Sequence, residues 1–594
     1  MAQLISLAQA LSQPILDTIA STEMPHLTSR RQPVLKEKVL LVIYTGGTIG
    51  MKYKDGGLVP IPHALEKFLR ELPILHDEEY AKKHDLNKRY GEHALVLPNN
   101  EKDSEASRIV YIIEEYNPLL DSSNMTPEDW AKIGKDIEKN YGLHDGFVIL
   151  HGTDTMAYTA SALSFMCEHL GKPVIITGAQ VPIYDVRNDG MENLLVALLI
   201  AGTYDIPEVG LYFHDTLYRG NRVTKVDAES FGAFSSPNLA PLVTTGVNIT
   251  VNWDIVWRDK SKQKFQVSTE MNQNVGLLRI FPGITATTVR AFLQPPIEGV
   301  ILETYGSGNA PDKNQGLLDA LKEATDSGVI IVNCTQCLRG TVSLTYATGA
   351  ALEKAGVVPG ADMTPEAALT KLSYVLAKKD WTLEEKKRMM KLNLRGEMIQ
   401  AESEAKLCLS DSCVIQAIAK SLSLSCTEEL GAVRDALTPS LACAAAKTGD
   451  IEALEALKQL GSHLFFGDYD GRTPLHVACC EGNLNAVQYL LSQGATVHAK
   501  DRYGATPLSN AVHFRHKEVV ELLRKTGAHL SRDELNEAGV ELCSLAARGD
   551  LEGLEIWILA GADLTKPGPD GQTALQVAQS AGQKEVVATF FSCS

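Results

Sequence analysis

Two short stretches, well separated in the chain, carry the side chains best suited to covalent chemistry. One is Val42-Ile43-Tyr44-Thr45-Gly46-Gly47-Thr48-Ile49-Gly50. The other is Gly146-Phe147-Val148-Ile149-Leu150-His151-Gly152-Thr153-Asp154-Thr155-Met156. Each is an apolar, β-branched run that breaks off into Gly, Thr and Asp. That pattern reads as a buried parallel strand whose carboxyl end opens into a loop. In open α/β sheets the crevice beyond such strand ends is where ligands bind. Brought together, the two ends would offer one small pocket a nucleophilic hydroxyl, a second hydroxyl and a carboxylate.

The same two stretches carry a family resemblance. Thr-Gly-Gly-Thr-Ile and His-Gly-Thr-Asp-Thr resemble the signatures of the bacterial-type L-asparaginases, with no departure inside either. The resemblance continues through Asp121-Ser122-Ser123-Asn124-Met125, Thr177-Gly178-Ala179-Gln180 and Arg219-Gly220-Asn221-Arg222-Val223-Thr224-Lys225. It extends to Tyr305-Gly306-Ser307-Gly308-Asn309 and Asn393-Leu394-Arg395-Gly396-Glu397, spanning about residues 38 to 400. It is closest to the cytoplasmic type of those enzymes.

Hydrolysis of a carboxamide needs a nucleophile, a route for its proton and donors for the tetrahedral oxyanion. The resemblance implies that Thr48 is the nucleophile and that Thr153, Asp154 and Lys225 form a second constellation beside it. A pocketed lysine polarises the hydroxyl it contacts, and the carboxylate can pair with that lysine and hold a substrate ammonium. Ser122 matches the residue that binds the substrate α-carboxylate, in a loop rich in hydroxyl and N–H donors. Ala179 is a candidate backbone donor to the oxyanion or the amide. Asn309 is a candidate to reach a neighbouring subunit's site, since family sites are completed across a dimer. Thr224 and Cys337 match an allosteric asparagine site, so cooperative kinetics is expected.

One position departs from the pattern. Bacterial relatives carry a tyrosine on the mobile loop after the nucleophile, and the ungapped equivalent here is Leu58. Tyr346, in Thr345-Tyr346-Ala347, and Tyr53 on the same loop are the candidates to supply a phenol, with Tyr346 slightly preferred.

The elements that must position these groups follow from the alternation of short apolar strands with helical stretches. Strands are expected at Val39 to Tyr44, Arg108 to Ile113, Phe147 to Leu150, Pro173 to Thr177 and Val209 to Phe213. Helices are expected at Thr126 to Tyr141 and Thr155 to Leu170, the first opened by Thr126-Pro127-Glu128-Asp129 as N-cap, first-turn proline and two acids. Such alternation implies an α/β fold with a parallel sheet flanked by helices. A smaller α/β unit follows, with strands at Val275 to Arg279, Gly299 to Glu303 and Gly328 to Asn333 and helices at 311–326 and 364–377. The expected division is a flexible extension over 1–37, an N-terminal asparaginase domain over 38–255, a C-terminal one over 256–400 and a helical connector over 401–437.

From 438 to 594 the pattern changes. Gly449-Asp450, Gly482-Asn483, Arg515-His516, Gly549-Asp550 and Gly582-Gln583 recur every 33 or 34 residues, with Gly461, Gly494, Gly527 and Gly561 in the same register. Thr473-Pro474-Leu475-His476 and Thr506-Pro507-Leu508 are the helix-opening motif of ankyrin repeats, whose period this is. About five repeats are expected, forming an all-α solenoid in which the outer units and the fourth (531–563) are degenerate or capping. Such an array suggests a protein-docking surface, with structural support as the rival role.

The bulk numbers narrow the function classes. A 594-residue chain exceeds a single domain, and a net charge of −17 disfavours nucleic acid and anionic membranes as partners. No apolar run of about 20 residues suggests a membrane span, and residues 1–37 lack a leader pattern. Eleven scattered cysteines fit free thiols in a reducing compartment, so the cytoplasm is expected. Cys334-Thr335-Gln336-Cys337 reads as two small buried thiols at a strand end, without a second pair to make a zinc site. No metal or organic cofactor is implied. The favoured activity is L-asparagine hydrolysis by a homo-oligomer. Ankyrin-fused asparaginases of animals also suggest lysophospholipid ester hydrolysis, for which the Gly-x-Ser-x-Gly elbow is absent. A tRNA-dependent amidotransferase subunit and an inert enzyme core carrying a binding array are the remaining alternatives.

Overall fold

A computed structural model describes residues 37–54, 56–99, 107–342, 347–399, 427–568 and 570–593. They fall into two compact units, one over 37–259 and 265–402 and the other C-terminal to it. Residues 1–36 of the expected 1–37 extension and 401–426 of the expected 401–437 connector lie outside the described residues.

The first unit is built on a nine-stranded sheet. Its order is Ile249–Val251, Val243–Thr245, Thr216–Arg219, Val209–Phe213, Val174–Thr177, Gly146–Leu150, Glu37–Gly46, Arg108–Leu120 and Ala94–Val96. The five strands from Val209–Phe213 to Arg108–Leu120 are parallel, and the outer ones are antiparallel. The sheet is therefore mixed, with the expected parallel part at its centre.

Residues of the central strands alternate between two cores. Leu40, Val42, Tyr44, Val148 and Leu150 pack on one face with Leu194 and Leu198 of the helix Gly190–Thr203. Leu41, Ile43, Phe147 and Ile149 pack on the other with Met156 and Leu163 of the helix Met156–Met166. Burial on both faces is why these strands read as unbroken apolar runs rather than alternating ones. The helix expected over 155–170 stops at Met166. Cys167 and Glu168 instead pair with Gln266 and Val267 as a two-residue strand.

Chain order fixes where a ligand would sit. From Glu37–Gly46 the chain crosses to Arg108–Leu120 on one side, then returns to Gly146–Leu150 on the other. The first strand is thus a topological switch point, and the crevice opens beyond its carboxyl end.

A second, parallel sheet runs Val275–Arg279, Gly299–Thr304, Ile330–Thr335 and Val358–Pro359. Helices Gln315–Asp326 and Pro365–Ala377 occur with it, close to the expected spans.

The C-terminal unit is helical and forms five successive pairs. They are Thr427–Thr448 with Ile451–Gln459, Pro474–Glu481 with Leu484–Ser492, Pro507–His513 with Lys517–Lys525, Arg532–Arg548 with Leu551–Ala560, and Ala574–Ser580 with Lys584–Cys593. Thr473 and Thr506 cap their helices by accepting from the His476 and Ser509 amides, as their position before Pro predicts. The fourth pair opens with Ser531 and Glu534 in a capping box instead. The first helix runs from Thr427 through the expected boundary at 438 without a break.

Candidate active site

The two motifs meet because their strands are neighbours. Glu37–Gly46 pairs with Gly146–Leu150 in register up to Tyr44 opposite Leu150. Beyond that pair the loops touch directly. A Cβ on Gly47 would lie 2.4 Å from the amide nitrogen of Gly152, and one on Gly152 would lie 2.4 Å from Ser122 Oγ. Gly47 also has φ +87°, so any side chain there is both strained and obstructed. The missing side chains let the backbones of Gly47 and Gly152 and the Ser122 side chain pack together, which brings the loops bearing Thr48 and Thr153 side by side. Thr48 opens a short 3-10 turn with Ile49 and Gly50 and is half-buried.

Lys225 enters from a different part of the chain. Its Nζ donates to Thr153 Oγ1 at 3.0 Å and to Asp154 Oδ1 at 2.8 Å. Thr153 is buried, whereas the Asp154 side chain is 65% exposed, so the ion pair lies at the mouth of the cleft. Asp154 thus keeps one face toward solvent and an entering ligand.

The neighbouring 219–225 segment is held by the second part of this unit. Arg219 and Arg222 donate to the Gly396 carbonyl, Asn221 to the Arg395 carbonyl and Arg222 to the Asp362 carboxylate. Thr224 donates to Glu366 Oε1 at 2.7 Å. Gly396 and Glu397 sit in a turn fixed by the fully buried Lys371–Glu397 ion pair, 2.5 Å long. Burial pushes the Glu366 carboxyl above the usual range, against the Thr224 hydrogen bond that lowers it.

Three residues without an expected role enter this network. Gln180 Oε1 accepts from Thr153 Oγ1 at 3.1 Å, while its Nε2 donates to the carbonyls of Ala228 and Ser230. The Asp189 carboxylate accepts from the amides of Gln180 and Val181. Gln180 lay within a family block, but only contacts distinguish it from its neighbours. Glu366 lies in the first turn of its helix after Thr364-Pro365, and only its contact with Thr224 sets it apart.

Ser122 is buried, and its carbonyl accepts from Thr155 Oγ1 at 2.7 Å. Ala179, the candidate backbone donor, is fully buried in the core. Asn309 closes a tight turn with Tyr305 after a strand of the smaller sheet. Of the two thiols expected to be buried, only Cys334 is, which raises its pKa to about 12; Cys337 lies beyond the end of the strand Ile330–Thr335 and is an exposed free thiol. Among the described residues no cluster of His, Cys, Asp and Glu could hold a metal ion.

The tyrosine candidates divide. Tyr346 lies outside the described residues. Tyr53 is 74% exposed on the hairpin Met51–Lys54 with Gly57–Pro60, directly opposite Leu58. Cross-strand partners share a face, so Tyr53 stands beside the position that lacks its phenol.

Comparison with known proteins gives one consistent result. The family profile described as "Asparaginase, N-terminal" matches residues 39–257. "Glutaminase/Asparaginase C-terminal domain" matches 274–390, and "Ankyrin repeats (3 copies)" matches 441–533. The chain is 48% identical over 552 residues to an L-asparaginase of Dirofilaria immitis, covering 93% of this chain and 92% of that protein. It is 52% identical over 553 residues to the 60 kDa lysophospholipase of Homo sapiens, covering 93% and 95% respectively. The crystal structure of L-asparaginase I from Vibrio cholerae superposes with a TM-score of 0.53 at 46% identity. That match covers 61% of this chain and all of the bacterial one.

Proposed function

The chain belongs to the asparaginase family, and from that premise we propose that it hydrolyses L-asparagine to L-aspartate and ammonia. The observation that carries this reading is Lys225 Nζ bonded to both Thr153 Oγ1 and Asp154 Oδ1 beside the strand end that bears Thr48.

In this reading Thr48 Oγ1 attacks the side-chain amide carbon, and its proton passes to the departing nitrogen, which leaves as ammonia. The product is a β-aspartyl ester on Thr48. Water then attacks the ester carbon, aspartate leaves and the hydroxyl regains its proton. Thr153 and Lys225 polarise the attacking hydroxyl and then the water. Asp154 holds the substrate ammonium and Ser122 its carboxylate. The polar side chains of Ser122, Asp154 and Gln180 gather about Gly152, Thr153 and Lys225, which suits a polar amino acid.

Lysophospholipid hydrolysis is the second reading, favoured by the 52% identity to the human lysophospholipase. It would use the same threonine ester chemistry as an additional activity. Ammonia from asparagine and fatty acid from lysophospholipid are measured in parallel for wild type and Thr48→Ala. Loss of both places them in one site, and retention of asparaginase activity rejects Thr48 as nucleophile.

The finer calls belong to the same reading. Thr224, one residue from Lys225 and tied to Glu366, supports a second asparagine site that includes Cys337; a hyperbolic saturation curve would count against it. A homo-oligomer would let Asn309 complete a neighbour's cleft. Residues 38–255 and 256–400 act as two catalytic domains, with 438–594 as a protein-docking array. The free thiols support a cytoplasmic location.

A further inference from the structure

Thr155 stands at the start of the helix Met156–Met166, where a threonine hydroxyl ordinarily accepts a first-turn amide. Thr364, Thr382 and Thr473 do so at the same position of their own helices. Thr155 makes no such bond. Its hydroxyl reaches instead to the Ser122 carbonyl oxygen, 33 residues back in the chain, at 2.7 Å. A carbonyl only accepts, so the single hydroxyl proton of Thr155 is committed there.

That bond completes the anchoring of the Ser122 loop. The Ser122 carbonyl also accepts from the Met125 amide at 3.2 Å. The amide of Ser123, on the same peptide, donates to Asp121 Oδ1 at 3.0 Å. Both polar groups of this peptide are therefore tied, and only Thr155 holds it from outside the loop. None of these bonds uses the Ser122 hydroxyl, which lies against the Gly152 backbone. Any turning of the peptide would swing that hydroxyl relative to Gly152.

We propose that Thr155 is a positioning residue for the substrate α-carboxylate. By donating to the Ser122 carbonyl it fixes the angle at which the Ser122 hydroxyl meets that carboxylate, at the expense of capping its own helix. The proposal rests on the asparagine hydrolysis proposed above, with Ser122 as the partner of the carboxylate. It gives Thr155 a part in binding and none at the reacting amide. A tie that only stabilised the fold would be indifferent to which group the substrate carries.

The test measures ammonia release by wild type, by Thr155→Val, which keeps the shape without the hydroxyl, and by Thr155→Ser, which restores it. Each is given L-asparagine and its α-methyl ester, in which the carboxylate is masked. The valine variant should raise KM for asparagine about 3- to 10-fold, the range spanned by one net hydrogen bond. Its kcat should stay within about twofold of wild type, because binding common to ground and transition states is what is lost. KM for the ester should move by less than about twofold, and serine should restore the wild-type KM for asparagine. An equal KM change for both substrates, a loss in kcat alone or no change at all overturns the proposal. So does a valine protein that fails to fold, or a serine variant no better than the valine one. A wild type that releases no ammonia from asparagine would reject the hydrolase reading instead. L-Aspartate binding by calorimetry then decides the role of Thr155, which stands if the valine variant binds about 3- to 10-fold more weakly and falls if it does not.

Discussion

The cleft and the C-terminal helices both depend on threonine hydroxyls, at opposite ranges. Thr473 accepts from an amide three residues along its own helix. Thr153 is bonded to Lys225, 72 residues away, and to Gln180, 27 residues away. A cap is complete once its own turn forms. The cleft exists only after four separate segments have docked. Damage in the cleft should therefore appear as lost rate, and damage in the repeats as lost stability alone.

Lys225→Met gives the largest expected effect. It removes the cation from Thr153 and Asp154 and should lower kcat by about 10²–10⁴, the range of acid–base assistance. Steady-state ammonia release measures this, and a loss confined to KM would show that Lys225 only binds substrate. Gly47→Ala follows, because its Cβ would strike the Gly152 backbone. Displacing Thr48 from Thr153 by even ~1 Å should cost about 10²-fold in kcat.

Glu366→Gln tests the link to the second sheet through stability. The carboxyl's folded pKa is raised, so its protonated form is favoured by folding. That contribution is complete below the ordinary carboxylate pKa of about 4.3 and is lost as pH rises through the folded value. Glutamine keeps the acceptor for Thr224 without the charge. Its Tm advantage over wild type should grow from pH 4 to 7 in thermal melts, and a pH-independent difference would refute the buried-acid account.

Thr473→Ala should cost about 1 kcal/mol. The melting of the helical unit should fall by about 2–4 °C, with kcat for asparagine unchanged. Tyr53→Phe is expected to be smallest, within about 0.5 kcal/mol in stability and with little change in rate. A large rate loss would assign Tyr53 the phenol that Leu58 lacks and reject Tyr346.

Local signals in the sequence were readable wherever the physics is local. Strands buried on both faces announced themselves as apolar runs, and Thr126-Pro127 and Thr473-Pro474 marked helix starts. The described residues of the C-terminal unit hold five helix pairs, two more than the three copies matched by the repeat profile. The helix after Thr155 was overestimated because apolar residues continue past Met166, and only pairing with Gln266 and Val267 ends it. Gln180, Glu366 and the Thr155–Ser122 bond gave no signal, since an amide, an acid or a hydroxyl looks the same in sequence whether or not it is bonded.

The amino-acid order by itself determined the family and the helical period and nominated the residues proposed for the chemistry, because motifs and periodicities are properties of neighbours in the chain. Tertiary structure decided which groups face one another. Strand order placed Gly47 against Gly152, and the Gly396 turn and Glu366 tethered the segment that carries Lys225. Hydrogen bonds at about 3 Å are set by docked backbones, and nothing in linear spacing encodes that distance.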